Sequence, residues 1–130
     1  MPDGRELTTI KVIPAINDIA AEQWDACAGP RNPFLSHAFL SALEDSGSAS
    51  AEEGWVPQHL IIEDEDEDLI AAAPLYLKTH SHGEYIFDWA WADAYHRAGG
   101  EYYPKLLCAV PFTPASGPRL LVRPDADPDL

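Results

Sequence analysis

Two charged side chains in the middle of the sequence are of types that can act on a substrate. Asp88 stands between apolar and small neighbours in the stretch GEYIFDWAWADAY (83–95), where burial would raise the pKa of its carboxyl group. Such a carboxyl can act as a general base or anchor an amine, or it can be a structural acid paired with backbone, Lys or Arg. Lys78 ends a predicted strand, where it can bind a substrate carboxylate or phosphate or extend into solvent. Asp88 is therefore the catalytic candidate, and Lys78 is a substrate-binding candidate.

Aromatic residues crowd the same part of the chain. Of the thirteen aromatic residues, given by four Trp, five Tyr and four Phe, five fall within residues 83–95: Tyr85, Phe87, Trp89, Trp91 and Tyr95. The first four occupy alternate positions, which predicts one face of a strand with Asp88 on the other face. Aromatic rings on a strand mainly pack in a core, but outer rings can also form the wall of a ligand site. We predict Trp89, Trp91 and Tyr95 as candidate ligand contacts.

Polar residues on either side of this stretch offer further candidates. Asp93 is predicted to cap a short helix over residues 94–98, and it can also face a substrate. His96 on that helix can carry a proton near neutral pH, or it can be an ordinary exposed histidine. His80 and His82 have a spacing that suits a metal, but they lie in a glycine-containing turn without a fixed third ligand. We therefore predict no metal site.

The charge balance excludes some partners. The formal net charge is −14, from 8 basic and 22 acidic residues, which disfavours binding to DNA or to anionic lipid because phosphates need clustered Lys and Arg. Six acids are consecutive at 63–68 between two apolar stretches, which predicts a solvated hairpin loop. A Ca²⁺ loop would interleave its ligands with turn residues and a central Gly. Cys27 and Cys108 are too few and too distant for a disulfide framework, and we predict buried, inert thiols.

The length of the chain predicts one domain over residues 1–130, with a polar tail or truncated linker at 124–130. No stretch of about 18 apolar residues is present, and the N-terminus lacks the apolar segment of a secretory signal. We therefore expect no membrane insertion and a cytoplasmic location.

Hydrophobic periodicity and turn residues predict the elements that position the candidates. Asn17 or Asp18 can cap the first helix and Ser36 the second. Pro57 and Pro74 are expected to cause local breaks in their strands or to occupy edge positions. The predicted strands cover 8–13, 55–63, 69–78, 84–92 and 105–110, with a short last strand at 119–122; the predicted helices end at about 28, 47 and 98. The fold class is therefore α/β (α+β), with a mixed, largely antiparallel sheet and flanking helices in the order β-α-α-β-β-β-α-β, not counting the short last strand.

Three long stretches carry a resemblance to a known family: NPFLSHAFLSALEDSGS, APLYLKTHSHGEYIFDWAWADAY and YYPKLLCAVPFTPASGPRLLV. They resemble the N-terminal part of a bacterial family of predicted N-acyltransferases related to the FemAB-like peptidoglycan aminoacyltransferases, with a peptidoglycan biosynthesis or recognition label. The element order is also similar to the first half of the GNAT acyltransferase fold. The resemblance covers roughly residues 30–123, and it implies an incomplete domain that is inactive alone.

The resemblance implies transfer of an acyl or aminoacyl group to an amine on a small molecule or a peptidoglycan precursor. A non-catalytic module that binds cell-wall peptide or sugar is the alternative. GNAT enzymes hold the donor's pyrophosphate on a Gly-rich loop that opens a helix, and this sequence has no such loop. We therefore expect no cofactor in this chain, and either acyl-CoA or aminoacyl-tRNA as the donor of the full-length protein. An exposed sheet edge is expected to allow self-association.

Overall fold

The computed structural model describes residues 9–80, 89–113 and 117–125. Three α-helices and seven strands lie in these ranges. The helices are α1 (Ala21–Ala28), α2 (His37–Asp45) and α3 (Trp89–Arg97). The strands are β1 (Thr9–Ile13), β2 (Trp55–Pro57), β3 (His59–Glu63), β4 (Leu69–Ala73), β5 (Leu75–Lys78), β6 (Lys105–Cys108) and β7 (Leu121–Val122).

The strands form two antiparallel sheets rather than the single sheet that was predicted. The first sheet has the order β1-β3-β4-β7, and the second has the order β2-β5-β6. Every strand pairing in the described part of the chain is antiparallel. The predicted α+β class is thus confirmed, while the number of sheets is corrected.

The two sheets arise because two long predicted strands are each divided. The stretch 55–63 becomes β2 and β3, and the stretch 69–78 becomes β4 and β5, with the halves in different sheets. The divisions follow Pro57 and fall at Pro74, since proline cannot donate a ladder hydrogen bond. Gln58 N–H still donates to the carbonyl of Leu75 (2.8 Å), which ties the sheets together at the division. The predicted breaks at the two prolines are confirmed.

The acidic run forms the turn between β3 and β4, as predicted. One carboxylate oxygen of Asp64 accepts the backbone N–H groups of Asp66 (2.9 Å) and Asp68 (3.0 Å). These three carboxylates can bring one oxygen each within 4.8 Å of one another. The backbone bonds of Asp64 account for that proximity, because they curl the turn around its side chain.

Helices α1 and α2 pack on one face of the first sheet. The core between them contains Trp24 of α1, Leu40 of α2 and Ile61 of β3, all with at most 2% of their surface exposed. The indole N–H of Trp24 donates to the carbonyl of Leu35 (2.9 Å), which satisfies its polar atom inside the core. This packing fixes α2 over β3, where the residues described below meet.

Of the two predicted N-terminal helix caps, the one of α2 is correct and the one of α1 is wrong. Ser36 caps α2 as predicted, its hydroxyl accepting the N–H of Phe39 (3.2 Å). The predicted cap of α1 at Asn17 or Asp18 is wrong. These residues belong to a short 3₁₀ turn, and extended backbone at Ile19 and the next residue separates it from α1. The side chain of Asn17 donates instead to Asp45 at the end of α2 (2.9 Å).

Helix α3 corrects the predicted end of the aromatic strand. Trp89 and Trp91 lie in the helix, so they do not share a strand face, and Asp93 lies inside the helix instead of capping it. The sequence WAWADA carries three alanines, the strongest helix former, and this preference overrides the alternation of aromatic residues. Asp93 also pairs with Arg97 one turn later (3.3 Å), an arrangement that supports a helix.

The outer strand β1 of the first sheet exposes two apolar side chains. Ile10 and Val12 are 67% and 55% exposed, and β1 has a neighbour only at β3 among the described strands. Self-association through an exposed sheet edge stays a prediction.

Candidate functional site

A cluster of polar and aromatic side chains lies where α2 meets both sheets. We call it the junction cluster; it consists of Glu44, Trp55, His59, Tyr76 and Lys78. Trp55 of β2 lies directly opposite Lys78 of β5, and Tyr76 and Lys78 are two residues apart on the same strand. These three side chains therefore share one face of the second sheet. The pairing of two strands that are not consecutive in the chain, β2 and β5, thus brings them together.

Glu44 and His59 form the polar link between α2 and the two sheets. The Glu44 carboxylate accepts from His59 Nε2 (2.7 Å) with one oxygen and from the backbone N–H of Ile16 (2.8 Å) with the other. His59 Nδ1 accepts the backbone N–H of Leu75 on β5 (3.3 Å). These partners define a neutral imidazole with its proton on Nε2. His59 is fully buried, so every polar atom of its ring is used to connect structural elements.

Tyr76 and Trp55 each bury a polar atom without a partner. Their rings pack edge to face with centroids 5.3 Å apart. The His59 ring also packs edge to face against Tyr76, with centroids 5.0 Å apart. Within the described part of the chain, neither the Tyr76 hydroxyl nor the Trp55 indole nitrogen has a hydrogen-bond partner. Burial, and to a lesser extent the nearby Glu44 carboxylate, raises the pKa of Tyr76 far above its usual range. Tyr76 is therefore a neutral hydroxyl able to donate.

Lys78 is fully buried, which rules out the exposed alternative considered from the sequence. Its ammonium lies 4.2 Å from the centroid of the Trp55 ring. A cation over an indole face is stabilised by the ring's quadrupole, most strongly where water is excluded. A buried lysine of this kind occurs at paired positions as well as at functional ones, and the substrate-binding role of Lys78 stays a prediction.

A second lysine stands opposite the first on the neighbouring strand. Lys105 of β6 is the register partner of Lys78, so the two side chains emerge on the same face of the second sheet. The ammonium of Lys105 lies 4.5 Å from the ring centroid of Tyr102 and 5.0 Å from that of Tyr103. Both basic residues are therefore held against aromatic rings.

An open cleft lies next to these tyrosines and beneath α3. Its volume is about 540 Å³, and it is lined by Ala92, Asp93, His96, Glu101, Tyr102 and Tyr103. Two carboxylates and one imidazole thus face one cavity together with two aromatic rings. Carboxylates and aromatic faces attract an ammonium group, and an imidazole can exchange a proton near neutral pH. The cleft is chemically suited to an amine.

The candidates from the sequence fall into three groups. Asp88 lies outside the described residues, as do the side chains of Trp89 and Trp91. Asp93 lines the cleft. Tyr95 is 54% exposed on α3 and packs against Tyr102 with centroids 6.3 Å apart.

The two predictions about minor features have simple outcomes. Cys27 is buried as predicted, whereas Cys108 is only half-buried; burial raises the pKa of both thiols, which opposes thiolate formation. His80 packs directly over the backbone of Gly54, and His82 lies outside the described residues.

Sequence reasoning missed Glu44, His59, Tyr76 and Lys105. One available signal was strand alternation: in β3 the buried positions are His59, Ile61 and Glu63, so a polar residue shares the inward face with an apolar one. No local pattern marks Glu44, because its role depends on α2 crossing β3, which is a tertiary contact.

The fold and site define an α+β protein with a polar junction between two sheets and an amine-compatible cleft beside it. The sequence matches the FemAB-like family, described as peptidoglycan biosynthesis/recognition, over residues 15–129. The match covers most of the chain, and the chain belongs to the FemAB-like family. No curated protein and no solved structure matches it. None of the helices that the structure describes is long and apolar enough to cross a membrane.

Proposed function

We propose that this protein supplies the amine-binding side of an N-acyltransferase that acts on a peptidoglycan-related acceptor. The observation that carries the proposal is the cleft, in which Asp93, His96 and Glu101 face the same cavity as Tyr102 and Tyr103. Membership of the FemAB-like family supports a cell-wall acceptor. The resemblance of three stretches of the sequence to predicted N-acyltransferases supports acyl transfer.

The chemistry requires a neutral amine and a group that removes its proton as the acyl bond forms. In the proposed arrangement the carboxylates of Asp93 and Glu101 attract the protonated amine into the cleft, and an aromatic wall shields it from water. Asp88 or His96 then accepts the proton. The donor is acyl-CoA or aminoacyl-tRNA, and the location is cytoplasmic, where both donors are made.

The test is an acyl-transfer assay with protein purified from its native cells. Amine-bearing muropeptides serve as acceptors, and acyl-CoA and aminoacyl-tRNA are supplied separately as donors. We expect transfer from one donor, with Asp88→Asn or His96→Gln slowing turnover by about 10²–10⁴-fold if that residue is the base. Glu52→Gln, at an exposed residue far along the chain from the cleft, is the control.

The second candidate function is a binding module for cell-wall peptide or sugar, favoured by the two tyrosine rings that line the cleft. Muropeptide binding that Tyr102→Ala abolishes, without turnover from either donor, would replace the transferase by the binding module. Absence of both binding and turnover would reject both functions.

A further inference from the structure

We propose that the first sheet docks a basic amphipathic helix of a partner protein on the face that is turned away from α1 and α2. We call it the outer face and define it by six aliphatic residues: Ile10, Val12, Leu60, Ile62, Ala71 and Val122. The proposal goes beyond the proposed function, because it concerns a protein partner and stands whether or not the protein transfers acyl groups.

The strand registers place these six side chains on one face of the sheet. One row across all four strands consists of the register partners Ile10, Ile62, Ala71 and Val122. The row two residues further along β1 adds Val12 and its partner Leu60. The row between these two belongs to the core under the helices and contains Ile61, Ala72 and Leu121. Neighbouring side chains on a strand point to opposite faces, so the six aliphatic residues turn away from α1 and α2.

The outer face is apolar and open to solvent. Ile10, Val12 and Val122 are 67%, 55% and 49% exposed, and the three residues on the central strands are partly exposed. An antiparallel sheet with one covered face usually turns polar residues to solvent. Strand β1 does the reverse, because Lys11 shares the helix side with its partner Ile61 while the two apolar residues beside it point outward. Contiguous exposed apolar surface marks a site of contact with another molecule.

The charges next to the outer face favour a basic partner. The acidic turn continues β3 and β4 directly beyond the outer face, and its residues 65–68 are exposed. The nearby Arg123 pairs with Asp125 (2.6 Å), so the turn keeps an excess of negative charge. A second copy of the chain would bring its own net charge of −14 to the contact, and an anionic membrane would be repelled in the same way. Lys or Arg on a partner would be attracted to the turn.

The dimensions of the outer face suit one helix. Strands about 4.8 Å apart and about 3.4 Å per residue give a face roughly 15 Å wide and 17 Å long. A helix about 10–12 Å in diameter fits this width, and about 11 of its residues cover the length. Ala73, which ends the second row beside the Pro74 break, is only 4% exposed, so the open part of the face lies toward the acidic turn. The helix would therefore place its basic end over that turn.

A helix is also the form of partner segment that a sheet face accepts best. An extended segment lying on the face would leave its backbone N–H and carbonyl groups without partners, whereas a helix satisfies them internally. The partner segment is therefore a helix with an aliphatic stripe along one side and Lys or Arg at one end.

The experiment titrates the full chain into dye-labelled synthetic helical peptides of about 18 residues and follows their fluorescence anisotropy. The first peptide has a leucine stripe and a block of lysines at one end. The second replaces the lysines by glutamates, and the third keeps the lysines and replaces the leucines by glutamines. We expect saturable one-to-one binding of the first peptide that weakens with added salt. The dissociation constants of the other two should be about tenfold higher or more.

One pair of variants tests the aliphatic surface. The combined change Ile10→Thr and Val12→Thr keeps β-branched residues at exposed positions of β1, so the sheet should form as before. Affinity for the first peptide should fall about tenfold, because aliphatic contact area is lost. Phe34→Thr is the matched control, at a 38% exposed residue of the segment between α1 and α2, and it should leave the dissociation constant unchanged.

A second pair of variants tests the acidic turn. The combined change Glu65→Gln and Asp66→Asn removes two exposed charges, so it should weaken binding of the first peptide and reduce the dependence on salt. Glu52→Gln with Glu53→Gln removes two exposed charges from the turn before β2. This control should change both quantities less.

Five results would overturn the proposal. Three come from the titrations: no saturable binding of the first peptide, equal affinity for the lysine and glutamate peptides, or equal losses in the Ile10/Val12 variant and Phe34→Thr. A fourth is a dimer in sedimentation velocity that the Ile10/Val12 variant converts into a monomer, which would assign the outer face to a second copy. The fifth is binding to phosphatidylcholine vesicles that this variant loses, which would assign it to a lipid surface. None of these outcomes depends on acyl transfer.

Discussion

Replacing Glu44 by alanine should destabilise the fold more than the loss of any other surface-proximal acid. The side chain is 9% exposed, and its two oxygens hold the Ile16 N–H at 2.8 Å and His59 Nε2 at 2.7 Å. Ile16 and His59 are both fully buried. After the change both buried N–H groups lose their acceptor at the junction between α2 and β3.

The size of the effect follows from two lost bonds. A hydrogen bond to a charged group contributes about 1.5–3 kcal/mol, and a buried donor left unsatisfied keeps its desolvation cost. Two such losses predict a fall of about 3–5 kcal/mol in the free energy of unfolding. With a urea dependence of about 2 kcal/mol per M, the unfolding midpoint should fall by about 2 M.

The measurement is urea unfolding followed by Trp fluorescence. Trp24 reports on the junction because its ring packs edge to face against His59, with centroids 5.9 Å apart. Glu53→Ala, at an exposed acid, is the matched control and should change stability by less than about 0.5 kcal/mol. Glu44→Gln keeps one acceptor oxygen, so the fall in its free energy of unfolding should be intermediate. This variant provides the measurement if Glu44→Ala does not fold. A fall below about 1 kcal/mol in Glu44→Ala would refute the assigned role.

Two further perturbations test neighbouring parts of the structure. Gly54 and Gly47 have similar positive φ angles of 83° and 81°, but a Cβ at Gly54 would lie 2.5 Å from His80 Nε2, whereas nothing lies within 4 Å at Gly47. Gly47→Ala should cost about 1 kcal/mol in unfolding free energy for the left-handed backbone, and Gly54→Ala about 2–3 kcal/mol because the ring must also move; equal losses in thermal melts would contradict this packing. Burial raises the pKa of folded Tyr76, so its contribution to stability is complete below the unfolded pKa of about 10 and is lost as pH rises above it. Urea midpoints measured from neutral to alkaline pH should therefore fall more steeply in the wild type than in Tyr76→Phe, and parallel curves would refute the assignment.

The fold could be predicted from sequence where a local signal decides the structure. The Ser36 cap, the acidic turn and the breaks at Pro57 and Pro74 all depend on a few adjacent residues, and each is confirmed. The separation into two sheets could not be predicted in this way. The prolines mark where the strands divide, but which half joins which sheet is set by partners distant in sequence, such as the pairing of β4 with β7.

Helix α3 shows how two local signals can compete. Alternating aromatic residues predict a strand through Trp91, whereas alanines at every second position favour a helix. The helix prevails from Trp89 onward. Alternating aromatic residues stabilise a strand only when they are buried by tertiary contacts. The helical preference of alanine is already present in the isolated segment. Reassigning these residues moves Asp93 from a cap to the wall of the cleft.

At the candidate site, too, local signals could be predicted from the sequence and tertiary contacts could not. Lys78 could be selected from its position at a strand end, but its contact with Trp55 could not, because Trp55 is distant in sequence and becomes its neighbour only through the β2–β5 register. In the same way, Lys105 becomes a neighbour of Lys78 only through the β5–β6 register. Once both registers are known, Trp55, Lys78 and Lys105 form one row across the second sheet, and Tyr76 lies beside it. Because both registers pair segments that are distant along the chain, no local pattern around Lys78 or Lys105 could predict this row.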